Sequence, residues 1–392
     1  MAETSGSATP LPLAEYENLS NDELDARVEA VRYELGGRLL ILGHHYQRGE
    51  ILKHVDLTGD SFALSRAASH SAARATGRAC EHIVFCGVHF MAETADVLAN
   101  APPNLAARNG RRVCVSLSDA TAGCPMADTA TVEQVETAWV ELARRFDLAR
   151  VIPVTYVNST AAIKAFCGRH GGLACTSSNA MAVLRWAFAH GDRVFFLPDQ
   201  MLGQNTARNM GIPREQTCLW NREREQLQPQ TQQLQGGDAN LADCRVILWD
   251  GACPIHLRFD PDAVAETRRR LPDAKIIVHP ECYPEVVEQA DFAGSTSMMI
   301  DTVAASQPGS QWAIGTEWHL VERLAERYAD RTITTLGQVE AVCETMAQTR
   351  LANLCHVLEH IAAGTPVNQV AVNEAIAPDA RVCLERMLEN SA

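Results

Sequence analysis

The sequence predicts an α/β protein of three related α/β units. If their parallel sheets sit with pseudo-threefold symmetry, equivalent loops converge on a central site. Three observations predict the three units. Short apolar runs rich in branched residues alternate with helical patterns, which is the signature of buried parallel strands joined by crossover helices. An ordered set of polar motifs recurs three times along the chain. The 392 residues also exceed one ordinary domain and suit two or three.

Residues 1–19 hold Ser, Thr and Pro and read as a frayed extension. Ser20-Asn21-Asp22-Glu23 is a capping box that opens a helix ending near Gly36-Gly37. Leu39–Leu42, Ile83–Phe85, Val151–Val154, Val194–Leu197, Val246–Trp249 and Ile276–Val278 read as buried parallel strands. Ala161–Phe166, Ala180–His190 and Ala263–Arg270 read as helices. Residues 226–235 hold six glutamines, so 205–243 is expected to be a surface insertion with a low-complexity core. The organisation that follows is an N-terminal extension and helix over 1–35 and units at 36–124, 125–253 and 254–343. A helical tail over 344–392 follows.

Composition narrows the function. Basic minus acidic residues is −14, which disfavours nonspecific nucleic-acid binding. No apolar run is long enough for a membrane helix, and the first basic residue is Arg27 without a preceding apolar stretch. A reducing, cytoplasmic location is therefore expected. Thirteen cysteines without a C-x-x-C pair argue against a disulfide framework and the common zinc-ribbon, thioredoxin and ferredoxin spacings. Most should be core residues. Any metal ligands must come from distant parts of the chain. The G-x-G-x-x-G and P-loop motifs are also absent.

Each copy of the repeat runs polar strand end, hydroxyl-rich helix start, second polar strand end, cysteine. The first holds Gly43-His44-His45-Tyr46, Gly59-Asp60-Ser61, a strand ending at Cys86-Gly87, and Ala122-Gly123-Cys124. The second holds Tyr156-Val157-Asn158, Thr176-Ser177-Ser178-Asn179, Pro198-Asp199-Gln200 and Gly251-Ala252-Cys253. The third holds His279-Pro280-Glu281, Gly294-Ser295-Thr296, Gly315-Thr316-Glu317 and Cys343. Equivalent loops around a pseudo-threefold axis would bring Cys124, Cys253 and Cys343 together. The first two precede proline, which places them near a helix N-cap, where a thiolate is favoured. A buried structural cysteine is the alternative, above all for Cys343, which has no proline. His279 and Glu281, two apart on extended chain, point to one side and suit acid–base work; a plain salt bridge is the alternative for Glu281. Ser61, Ser177, Ser178, Ser295 and Thr296 are helix caps or, converging, donors to carboxylate and phosphate.

Together these blocks resemble the quinolinate synthase family from about residue 38 to 350. The most specific carrier is Val84-Phe85-Cys86-Gly87-Val88-His89-Phe90-Met91-Ala92-Glu93-Thr94. The resemblance implies three α/β domains around a central cavity. It also implies condensation of iminoaspartate with dihydroxyacetone phosphate to quinolinate in NAD biosynthesis. A [4Fe–4S] cluster on Cys124, Cys253 and Cys343 is implied, with Cys355 as the other choice for the third ligand. Three ligands leave one iron open as a Lewis acid. By the same resemblance Tyr46 and Glu281 are acid/base groups, with His44 and His279 orienting substrate or relaying protons. Tyr156 and Asn158 contact the intermediate, and Ser61, Ser178, Ser295 and Thr296 bind carboxylate and phosphate. His256 matches a histidine near the cluster. An L-aspartate oxidase or dehydrogenase would supply iminoaspartate. An aconitase-like hydro-lyase and a non-enzymatic iron–sulfur sensor are the competing functions.

Overall fold

A computed structural model of the chain describes residues 10–70, 80–230 and 241–390. Among these lie fourteen strands in three sheets. The first sheet contains β1 (Leu39–His44), β2 (Leu57–Gly59), β3 (His82–Cys86) and β4 (Cys114–Leu117), in the order β2-β1-β3-β4. The second contains β5 (Val151–Tyr156), β6 (Leu173–Cys175), β7 (Arg193–Leu197), β8 (Thr217–Asn221), β9 (Gln226–Pro229) and β10 (Val246–Trp249), in the order β6-β5-β7-β10-β8-β9. The third contains β11 (Lys275–Val278), β12 (Phe292–Ala293), β13 (Gln311–Gly315) and β14 (Thr332–Thr335), in the order β12-β11-β13-β14. The threefold repeat is thus one strand order used three times, with β8 and β9 appended to the second sheet. Every strand pairing is parallel except β8 with β9. All six expected strands are present. They were legible because parallel strands covered on both faces lack polar alternation.

The chain forms two compact units, and the second and third sheets share one of them. One unit comprises the described residues up to Gly123 with Cys343–Val372, and contains the first sheet. Helix Asn21–Leu35 starts at the expected capping box, where Ser20 Oγ accepts from Glu23 N and the Glu23 carboxylate accepts from Ser20 N. It ends at Gly36, whose φ of 51° favours glycine. Leu24, Val28, Val31 and Leu35 form its buried face and join the side chains of helix Leu351–Ala362 in one core. The expected fraying does not extend to Tyr16. This residue is fully buried, and its hydroxyl donates to Glu359 at 2.6 Å. Arg27 clasps the same carboxylate at 2.7 and 2.8 Å. Residues 1–9 lie outside the described residues.

The other unit comprises Cys124–Val342 with the described residues from Asn373 onward. The segment expected as a glutamine-rich insertion carries regular structure here. Helix Gln200–Asn209 runs into it, and β8 and β9 extend the sheet with Cys218, Trp220 and Leu227 buried. Gln226 and Gln228 fit because β9 is an edge strand whose backbone pairs with β8. The rest of the glutamine tract, from 231, lies outside the described residues. Helix Ala377–Glu389 lies against helix Ala161–Arg169 so closely that a Cβ on Gly168 would stand 2.0 Å from Asp379 O. Among the described residues no helix is long and apolar enough to cross a membrane.

Candidate functional site

Nine of the thirteen cysteines are buried, as expected for core residues; only Cys114, Cys124, Cys253 and Cys343 are not. The last three occupy copies of one loop, each after the fourth strand of the shared order. The carbonyl two residues before the cysteine accepts from the first amide of a helix: His89 N to Ala122 O at 2.8 Å, Gln200 N to Gly251 O at 2.7 Å, Trp318 N to Ala341 O at 3.0 Å. The cysteine's own carbonyl accepts from the amide four residues on: Asp128 N at 3.0 Å, Leu257 N at 3.2 Å, Ala347 N at 2.9 Å. A one-turn 3-10 helix follows at 127–129, 256–258 and 346–348. The next helix is then capped at Thr131, Asp260 and Arg350, seven residues past each cysteine. Proline is not needed for this loop, which is why Cys343 lacks the sequence context of the other two. Cys355 instead sits buried in the middle of helix 351–362. Gly251 is demanded by close approach, since a Cβ there would lie 2.5 Å from Pro198 O and 2.4 Å from Thr129 Oγ1.

Within the second unit, the ends of the strands gather a buried polar cluster. Cys253, His256 and Glu281 have donor atoms all within 4.8 Å of one another, a set that could hold a metal ion. His256 Nδ1 lies 3.0 Å from Glu281 Oε2, and His279 Nδ1 lies 3.6 Å from Oε1. The two imidazoles stack at 4.3 Å. Tyr156, at the end of β5, donates its hydroxyl to Glu281. An ionised carboxylate only accepts, so His256 Nδ1 is the donor in its 3.0 Å contact with Glu281, while Thr316 Oγ1 stands 3.4 Å from His256 Nε2. Burial alone would raise the Glu281 carboxyl. The flanking His279 and His256, with the hydrogen bonds from His256 and Tyr156, more than offset this and hold it at about 2. Burial, then His256, pushes His279 down to about 3. At neutral pH the site therefore holds a carboxylate beside a neutral imidazole. Burial, then Glu281, pushes the Cys253 thiol well above its ordinary range.

The other sequence candidates fall as follows. In the first unit, His44 is buried at the end of β1, and its Nδ1 accepts from Tyr46 N at 3.1 Å. The Tyr46 ring meets it edge-on at 4.7 Å. Ser61 is not the cap of its helix. Asp60 is, accepting from Ala63 N at 2.9 Å, because a carboxylate meets the positive helix end better than a hydroxyl. In the second unit Asn158 is half-buried and Ser178 exposed, while Ser295 caps helix Thr296–Ala305 and Thr296 is buried. Sequence reasoning gave no role to Asp199, which is fully buried. Its two carboxylate oxygens accept from Leu202 N at 2.6 Å and Cys253 N at 3.0 Å.

A family model described as quinolinate synthetase A protein matches residues 26–389. The chain belongs to that family. Proteins named quinolinate synthase are similar along nearly their whole length. That of Rhodopirellula baltica is 50% identical over 378 residues, covering 96% of this chain and 93% of its own. That of Geobacillus thermodenitrificans is 44% identical over 374 residues, 95% of each. That of Corynebacterium glutamicum is 44% identical over 376 residues, covering 95% of this chain and 89% of its own. As a member of the quinolinate synthetase A family, the chain has the three α/β sheets expected from its repeat.

Proposed function

We propose that the chain is a quinolinate synthase. The reaction joins iminoaspartate and dihydroxyacetone phosphate into quinolinate and releases phosphate and two waters, as a step toward NAD. The observation that carries the proposal is the buried Tyr156–Glu281–His256–His279 cluster beside Cys253, in a chain of this family. Iminoaspartate, an oxidation product of aspartate, would come from an aspartate oxidase or dehydrogenase in the same reducing cytoplasm.

Condensation with two dehydrations needs protons removed from carbon and nitrogen and delivered to leaving oxygens. Glu281, ionised at neutral pH, serves as the base. The Nδ1–H of His256 steadies its charge, and Tyr156 supplies or takes up the proton at the phenolic oxygen. Neutral His279 holds substrate through its imidazole. On this reading His44 and Tyr46 supply a second acid–base pair. Asn158 and the hydroxyls of Ser61, Ser178, Ser295 and Thr296 hold the carboxylates and phosphate, as the acidic chain needs local donors.

The donor set fits an iron–sulfur group. Three cysteines in three copies of one loop, none of them fully buried, support the reading of a [4Fe–4S] cluster held by Cys124, Cys253 and Cys343. When bound, the cluster supplies a Lewis-acidic iron without a protein sulfur. The test is anaerobic turnover: quinolinate formed from the two substrates supports the reading. A colourless protein with stoichiometric zinc and no turnover overturns it.

A further inference from the structure

Helix Gln200–Asn209 links two parts of the cluster. Its cap, Asp199, holds the amide of Cys253. Further along it, Asn205 is 1% exposed. Asn205 Nδ2 donates to Pro280 O and to Cys282 O, both at 2.9 Å. These are the carbonyls immediately before and after Glu281. Two carbonyl acceptors demand two N–H donors, so the amide has one permissible orientation. The opposite orientation would set oxygen against two oxygens. Arg208, three residues on, donates to Pro284 O at 3.2 Å. The segment so held lies between the end of β11 and helix Pro284–Gln289 and forms neither strand nor helix. Pro280 brings no N–H, and the Glu281 amide reaches only a 3.4 Å contact with His279 Nδ1.

We infer that Asn205 is a positioning residue that fixes Glu281 against His256 by clamping the carbonyls on either side of it. The inference rests on the catalytic reading of Glu281 given above. The Glu281–His256 contact of 3.0 Å is an ordinary hydrogen-bond length. A slip of the clamped segment by half an ångström separates the pair. The Asn205 side chain bonds the backbone on either side of Glu281, so it acts on the carboxylate through that backbone.

The test uses the full chain purified anaerobically, as N205A, N205D, E281Q and the double variant N205A/E281Q. Iron and sulfide are counted, quinolinate formation is resolved into kcat and KM, and backbone hydrogen exchange is followed by mass spectrometry. N205A is expected to lower kcat about 10- to 100-fold, with KM within about threefold and iron content unchanged. N205D, which opposes a carboxylate to two carbonyls, is expected to be worse. Exchange should quicken in the 279–284 peptide and not in β5 or β7. In the E281Q background, N205A should cost no more than about twofold, because its target is gone. Equal losses in both backgrounds, parental kcat in N205A, or exchange loosened throughout the unit would each overturn the proposal. If E281Q activity is below detection, the exchange result decides alone. If the parent forms no quinolinate, the proposed reaction falls. Selective loosening of 279–284 then still supports the clamp, and unchanged protection overturns it. Should N205A fail to fold, N205S, which keeps one donor, is read by the same criteria.

Discussion

Replacing Cys343 and Cys355 separately tests which sulfur is the third ligand. Cys355 is fully buried in helix 351–362, and burial, then Glu359, pushes its thiol up to about 12. Its place in the middle of a helix, within an apolar core, differs from the loop that Cys124, Cys253 and Cys343 share. Removing its sulfur costs only a small cavity, about 1 kcal/mol. That corresponds to a melting shift of about 2–3 °C. Cys343 is not fully buried and sits in the loop geometry shared with Cys124 and Cys253. C355A is therefore expected to keep its full iron and sulfide with a slightly lower melting temperature. C343A is expected to lose most of both while unfolding like the parent without its cluster. Anaerobic purification, iron and sulfide counts and thermal melts decide it. Full iron in C343A, or iron lost from C355A at parental stability, refutes the loop-equivalence argument.

Acid should weaken the fold through His279. Its folded value of about 3 lies below the ordinary 6.5, so the unfolded chain binds a proton that the folded chain refuses. Stability thus falls as pH drops from about 6.5 toward 3, by about 2 kcal/mol between pH 6.5 and 5. Glu281, held at about 2, adds a loss in the same direction below about pH 4. Urea midpoints of the cluster-free chain measure this, and H279Q should flatten the upper part of the slope. G251A drives a methyl into Pro198 O and Thr129 Oγ1, an overpacking worth about 2–3 kcal/mol. It should also reduce iron content, and a melting temperature equal to the parent's would contradict the contact. E359A strands the buried Tyr16 hydroxyl and the Arg27 guanidinium, and is expected to cost about 2–3 kcal/mol. E359Q keeps an acceptor for Tyr16 and should cost less than half of that in the same urea titration.

The strands legible in the sequence were those buried on both faces. β2, β6 and β12 escaped because two or three residues carry no period. β8 and β9 escaped because a glutamine tract reads as low complexity, although an edge strand asks only for backbone partners. At the site, Glu281, His279, Tyr156 and Cys253 were legible as polar residues at the ends of apolar runs. Asp60 is masked by its serine neighbour, because either residue type can cap a helix at that point. Asp199 stands in the repeated motif and caps its own helix locally, but its bond to Cys253 N, 54 residues on, is not legible. Asn205 bonds carbonyls 75 and 77 residues away, and local sequence does not encode such partners. Cys343 was harder to place than Cys124 or Cys253 because its likeness to them lies in backbone hydrogen bonds rather than in neighbouring side chains.

Helix 377–389 leaves the ribosome after β14, yet it covers helix 161–169. Arg386 reaches back to donate to Gly172 O at 2.8 Å, and Ala380, Cys383, Leu384 and Met387 are buried. During synthesis the apolar flank beside β6 therefore waits uncovered while more than two hundred further residues are added. A nascent chain stalled before residue 377 presents that flank to chaperones and to other nascent chains.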